Sequence, residues 1–424
     1  MTGTRRVGLI AIIVIALVLA GFIFGRRSST AQSPHPRSSG TWPMYQYGAA
    51  HNAVLDRPAL RADYQSALGD RINGGFAIDG TTLYAVSFDR KLYALDAPTG
   101  KIRWSAVTDD ILMSSPVFAK GIIIVGSGHN GFLKPDEPVS QTWGRPEGNA
   151  IFAYTPEGKL VWKFHTDGED MPTPAIDGDA VIFGNGDAHA YALDLATGKQ
   201  KWQIPLAGAV TMAATAVDGG VAFISSCHNA PYVCETRALD VRHGRTLWTN
   251  PNGGSDCAPA VADGLVFVNG NRDDEHRFHT GGSDVVAAID ERTGQTRWTY
   301  ESEPGPYTFP ATNERQIAGT VVDGVLYQPI GNASRMIAFE ASSGKILWNL
   351  RTWANVKMSP VVAQGRLYFG DISGILYAVD AKNGTAIHTS SFLQPFSSAP
   401  PLIAGDTIFV AVGQIIVAMP LENV

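Results

Sequence analysis

Short apolar runs broken by acid-and-glycine turns recur along this chain with a near-constant phrase. The clearest copies are Ala94-Leu-Asp96-Ala-Pro-Thr-Gly100-Lys-Ile-Arg-Trp104 and Ala192-Leu-Asp194-Leu-Ala-Thr-Gly198-Lys-Gln-Lys-Trp202. The phrase returns at Ala238…Asp240…Gly244…Trp248, Ala288…Asp290…Gly294…Trp298 and Ala338…Glu340…Gly344…Trp348. Two copies have drifted. Ala153…Thr155…Gly158…Trp162 lacks the acid, and Ala378…Asp380…Gly384…His388 lacks the Trp. Each phrase reads as a hairpin. The apolar run before the acid is a strand, the carboxylate caps the turn, Gly supplies a positive φ, and the Trp lies on the returning strand. Two further strands follow each phrase, such as 115–119 and 122–125, with Pro tolerated at the start of the first.

The aromatic positions stand 58, 40, 46, 50, 50 and 40 residues apart. A period of about 40–50 residues made of four short strands predicts a β-propeller. The 384 residues after the first 40 divide into eight blades of 48, and 45 Gly with 25 Pro suit a turn-rich all-β array. We therefore expect an eight-bladed propeller of four-stranded antiparallel blades over residues 41–424. A seven-bladed count follows if the segment at Thr155 is an insertion. The last strands, near 400–404, 407–412 and 414–418, lack a fourth. The expected partner is the stretch near Trp42–Tyr47, which would close the ring and remove open edges.

The N-terminus differs in kind. Arg5-Arg6 precede an unbroken apolar run, Val7 to Phe24, and Arg26-Arg27 follow it. Eighteen apolar residues suffice for one membrane span, so residues 1–27 read as an uncleaved signal-anchor or transmembrane helix. The Ser- and Pro-rich stretch 28–40 reads as a flexible tether. The expected location is the cell membrane, single-pass, with the propeller in the periplasm or at the cell exterior. The first 40 residues hold five Arg and no acid. The remainder has 28 basic and 39 acidic residues, a net charge of −11. An acidic domain repels a phosphate backbone, which excludes a nucleic-acid partner.

Candidate chemistry is sparse. Cys227 and Cys234 bracket a short loop and read as a disulfide in an oxidising compartment, with a Cys/His metal site through His228 as the competing reading. Cys257 is left over, or pairs with one of the other two. Two long loops, 127–149 and 269–284, interrupt the second and fifth blades. In the latter, Asp274, His276 and His279 offer oxygen and imidazole donors for a metal, against the simpler reading of a solvated polar loop. The inner strands begin at the channel rim, where Ser115, Thr173 and Asp256 fall by repeat register. Asn73, Arg90, Arg315 and Lys357 are added as polar candidates for a bound cofactor. Asp256, beside Cys257, is the candidate general base, with a turn cap as its plainer role.

The phrase A-x-D-x-x-T-G-x-x-x-W, the opening Trp42-Pro-Met-Tyr-Gln-Tyr-Gly48 and blade openings such as Ser114-Ser-Pro and Met358-Ser-Pro resemble the pyrroloquinoline-quinone-type propeller repeat. The resemblance covers nearly everything from residue 42 onward. It implies a structural girdle in which Trp104, Trp162, Trp202, Trp248, Trp298 and Trp348 dock on neighbouring blades. One branch of that family contains quinoprotein dehydrogenases, which hold pyrroloquinoline quinone and Ca²⁺ in the funnel. Another resembles the propeller lipoprotein of the outer-membrane β-barrel assembly machine, which is a binding scaffold. The chain has no Cys-Cys pair and no Cys-x-x-Cys-His haem site, which disfavours the enzyme. It has no Cys near its apolar N-terminal run, which disfavours a lipoprotein. The expectation is a membrane-tethered binding or assembly scaffold with envelope-protein partners and no cofactor. The alternative is a quinone- and Ca²⁺-dependent dehydrogenase of an alcohol or sugar.

Overall fold

The computed structural model describes residues 60–128, 148–229, 232–254, 257–272, 283–303, 317–331 and 333–424. They form eight four-stranded antiparallel sheets. Seven sheets are consecutive in sequence: residues 77–107, 117–165, 175–205, 216–250, 260–301, 320–351 and 361–391, here blades 1 to 7. The eighth joins three C-terminal strands, Leu402–Ala404, Thr407–Val412 and Ile415–Pro420, to Tyr64–Ala67 from the other end of the chain. The register there is Tyr64 opposite Ala418 and Ala67 opposite Ile415. The closing strand is thus Tyr64–Ala67 and not the stretch near Trp42, which lies outside the described residues. The earlier aromatic cluster drew attention because it is denser. The strand that pairs is the one whose Tyr64 takes the Trp position of the repeat.

Why these residues form blades follows from burial. The two middle strands of each blade are covered on both sides by neighbouring blades, so they run apolar, as in Leu92–Leu95 and Val181–Phe183. The outer strand faces solvent on one side and alternates, as in Ile102–Val107. Core clusters therefore lie between blades. Val117, Ile124, Ile151 and Trp162 of blade 2 meet Val181, Phe183, Tyr191 and Leu193 of blade 3.

The hairpin phrase has one geometry throughout. In blade 3, the Thr197 amide and hydroxyl donate to Asp194 Oδ1 at 3.0 and 2.8 Å, and the Gly198 amide donates to the Asp194 carbonyl. Gly198 has φ of 68°, and a β-carbon there would meet the Trp162 ring at 2.6 Å. Each Trp indole lies over the hairpin Gly of the next blade: Trp104 over Gly158, Trp202 over Gly244, Trp248 over Gly294, Trp298 over Gly344 and Trp348 over Gly384. Each indole N–H donates to a backbone carbonyl of that blade, for example Trp202 to Val241 at 2.7 Å and Trp348 to Ala381 at 2.9 Å. Tyr64 over Gly100 makes the same contact between the eighth sheet and blade 1. His388 of blade 7 has no such role and is exposed.

Among the described residues no helix is long and apolar enough to cross a membrane. The apolar run 7–24 lies outside them.

Candidate functional face

The antiparallel strand order sorts the connections onto two faces. Turns between first and second strands, and the repeated hairpins between third and fourth strands, share one face, here the hairpin face. Turns between second and third strands, and the links from each fourth strand to the next blade, share the other, here the variable face. The first strands pack against one another from blade to blade and line the central channel.

At the variable mouth of that channel the polar candidates are already engaged. The Gly75 amide donates to Ser115 Oγ at 2.8 Å, and the Ser115 amide donates to Thr173 Oγ1 at 2.9 Å. Both side chains are buried and stitch blades 1, 2 and 3 together. Asn73 is half-buried, and its carbonyl accepts from Ser398 Oγ at 3.5 Å. Lys357 is half-buried in the link to blade 7, between the buried Val356 and Met358. Arg90 is not on an inner strand. It occupies the turn between the second and third strands of blade 1, exposed, with φ of 66° and its carbonyl accepting from Thr108. Asp256, Arg315, Asp274, His276 and His279 lie outside the described residues. The strands of blade 5 run further than the sequence pattern indicates. Asn269–Arg272 and Ser283–Asp284 are paired strand residues rather than loop.

Cys227 and Cys234 stand opposite each other near the tip of the blade 4 hairpin and form a disulfide, with Cα atoms 4.1 Å apart. Cys257 is a buried thiol whose Sγ accepts the Asn269 amide at 3.3 Å.

Asp170, Asp284 and Asp371 are fully buried acids at this end of the blades. Asp371 accepts hydrogen bonds from the Ser373 and Ile375 amides and from the Tyr377 hydroxyl, at 2.9, 3.2 and 2.7 Å. Asp170 lies 2.5 Å from Thr166 Oγ1 and accepts from Asn185 Nδ2 at 2.7 Å. Burial pushes the Asp170 carboxyl well above the usual carboxylate range, against the pull of those two hydrogen bonds. Asp170 was not singled out from the sequence. The available signal was its position four residues before Pro174, where Leu112, Val356 and Phe396 precede Pro116, Pro360 and Pro400.

A Ca²⁺-held quinone needs several oxygen donors turned toward one point. Ser115 and Thr173 accept blade-to-blade amides, Asp371 accepts from its own turn, and Asp170 is engaged by Thr166 and by Asn185 of blade 3. Among the described residues no three His, Cys, Asp or Glu side chains converge as metal ligands. The described residues therefore do not fit that group.

A family model described as "Outer membrane protein assembly factor BamB" matches residues 53–279 and 282–422. The chain belongs to this family. Among curated proteins it is 27% identical to the tetrathionate hydrolase of Acidithiobacillus ferrooxidans over 414 residues, 90% of this chain and 79% of that one. It is 23% identical to BamB of Yersinia pestis over 80% of this chain and 69% of that one. It is 25% identical to the quinohemoprotein alcohol dehydrogenase ADH IIB of Pseudomonas putida over 70% of this chain but 37% of that one. Among solved structures, BamB from Moraxella catarrhalis superposes with a TM-score of 0.62 at 15% identity, covering 85% of this chain and 99% of that chain. The quinohemoprotein alcohol dehydrogenase of Comamonas testosteroni gives 0.65 at 13% identity, covering 89% and 80%. At such identities these two superpositions speak for the fold alone.

Proposed function

We propose that this chain is a binding or assembly scaffold of the cell envelope, tethered to the membrane through residues 7–24, that engages a protein partner through its variable face. The observation that carries this reading is the segregation of irregularity. The hairpin face repeats closely related turns in blades 1 to 7, whereas the described links of the other face differ in the side chains they bury or expose. Loops on a rigid scaffold are where recognition is built. On that same face Trp353 and Leu393, in the links before and after blade 7, are 83% and 106% exposed. Membership of the BamB family supports the assembly role. The Cys227–Cys234 disulfide supports an extracytoplasmic location, because cytosolic thiols are kept reduced.

The test is a face comparison in intact envelopes. A photo-crosslinking residue at position 353 or 393 is expected to yield one discrete adduct, and the same residue at Lys101 of the hairpin face none. Equal labelling from both faces would sink the reading.

A hydrolytic reading is favoured by a different observation, the 27% identity to a tetrathionate hydrolase across 90% of this chain. Incubating the purified chain with tetrathionate separates the two. Turnover that survives Trp353→Ala and Leu393→Ala would favour catalysis over scaffolding.

A further inference from the structure

Each link between blades inserts one residue beside the second strand of the blade it leaves or enters. Leu112 packs with Val86, and a β-carbon on Gly184 or Gly370 would strike Val210 or Phe396. The residue inserted is apolar in these three joints, and Ile72 and Val356 are equally buried in theirs. In the joint of blades 2 and 3 it is Asp170, which is fully buried. A β-carbon on Gly126 would meet the Asp170 carbonyl oxygen at 2.0 Å, so the link presses on the blade backbone. The Asp170 amide donates to the Ser127 carbonyl, and the Gly186 amide of blade 3 donates to the Glu169 carbonyl. The acid thus sits where two blades are pinned.

Its surroundings oppose a charge. Its two hydrogen-bond partners, Thr166 and Asn185, are neutral. Of the titratable groups around it, Asp167 and Glu169 lie on its own link, and Asp187, His189 and Tyr191 lie on blade 3. Asp187 is occupied by the Tyr191 hydroxyl at 2.5 Å and lies 3.3 Å from His189 Nδ1. Blade 2 contributes the Ser127 carbonyl and Gly128. No described Lys or Arg pairs with Asp170. An ionised carboxylate buried without a cation costs far more than a neutral acid. The Thr166 hydroxyl also lies 2.8 Å from the Gly168 carbonyl. It can donate its single hydrogen there while accepting one from a protonated Asp170.

We propose that Asp170 is a protonated clasp between blades 2 and 3, closed while neutral and loosened as rising pH ionises it. The sign follows from linkage. A carboxyl whose folded pKa is raised holds its proton when the unfolded chain has released it. Its stabilisation is complete below the ordinary value of 3.8 and is lost as pH rises toward the raised value.

The experiment is amide hydrogen exchange of the full chain between pH 5 and pH 8, corrected for intrinsic exchange, in wild type and Asp170→Asn. The variant keeps both hydrogen bonds, with its amide donating to Thr166, but cannot ionise. Relative to it, wild-type opening at the Asp170 and Gly186 amides is expected to rise by up to about tenfold per pH unit. Parallel profiles would overturn the proposal. Should the variant not fold, the infrared signature of the protonated wild-type carboxyl decides. Loss of that signature only above the ordinary carboxylate range supports the clasp, and loss within that range overturns it.

Discussion

The two faces of this propeller obey opposite rules. On the hairpin face one solution recurs: a Gly adopts positive φ, the previous blade's aromatic ring lies on that Gly, and an acid caps the turn in every blade from 1 to 7 except blade 2, where Thr155 takes its place. On the variable face the described links follow a similar backbone path but differ in the side chains they carry. One carries a disulfide-tipped hairpin beside it, one buries an acid, and two expose large apolar side chains. Even their charges respond oppositely to pH. Asp96, Asp194, Asp240 and Asp290 on the hairpin face are held below the usual carboxylate range, chiefly by side-chain hydrogen bonds from Arg103, Thr197, His243 and Thr293. Asp170 on the variable face is pushed above it by burial. The difference teaches that the hairpin face joins blades by one repeated aromatic contact, whereas the variable face joins them through links whose side chains differ from joint to joint.

The largest expected effect breaks the girdle. Trp202→Ala removes a buried indole and its hydrogen bond to Val241, and should cost about 3–5 kcal/mol in denaturant unfolding. Trp353→Ala, on the variable face, should stay within about 0.5 kcal/mol. Similar costs for the two would erase the contrast between girdle and surface. An intermediate effect comes from the disulfide. Replacing Cys227 and Cys234 together with Ser should cost about 2.5 kcal/mol by loop entropy, with exchange rising at the blade 4 hairpin and not at its Asp240 turn. The smallest is the acid limb of stability. Asp194 holds its charge below the ordinary 3.8, so its contribution is present above that value and is lost as pH falls beneath it. Asp194→Asn should flatten part of the acid-side fall in unfolding midpoint while leaving the slope above pH 5 unchanged. A changed slope above pH 5 would assign Asp194 a different partner.

Much of the hairpin face was legible because its signals are local. Asp194, Thr197, Gly198 and Trp202 lie within nine residues and need only turn chemistry and alternation to be read. Tyr64 was passed over because its partner strand lies some 350 residues away in the chain, a pairing no local pattern encodes. Arg90 was grouped with the channel because a polar residue near a strand end looks the same on any strand. The structure puts it in an outer turn. Asp170 was invisible because a carboxylate in a polar link reads as solvated. Only the packing of Gly126 and Asn185 around it makes it a buried acid.

The sequence by itself determined the repeat, the turn chemistry and the docking Trp, because each is written in residues a few positions apart. The tertiary structure decided which strand closes the ring, which polar side chains are consumed between blades and which acid loses its water. Those outcomes depend on what neighbouring blades exclude, and exclusion is a property of the assembled ring.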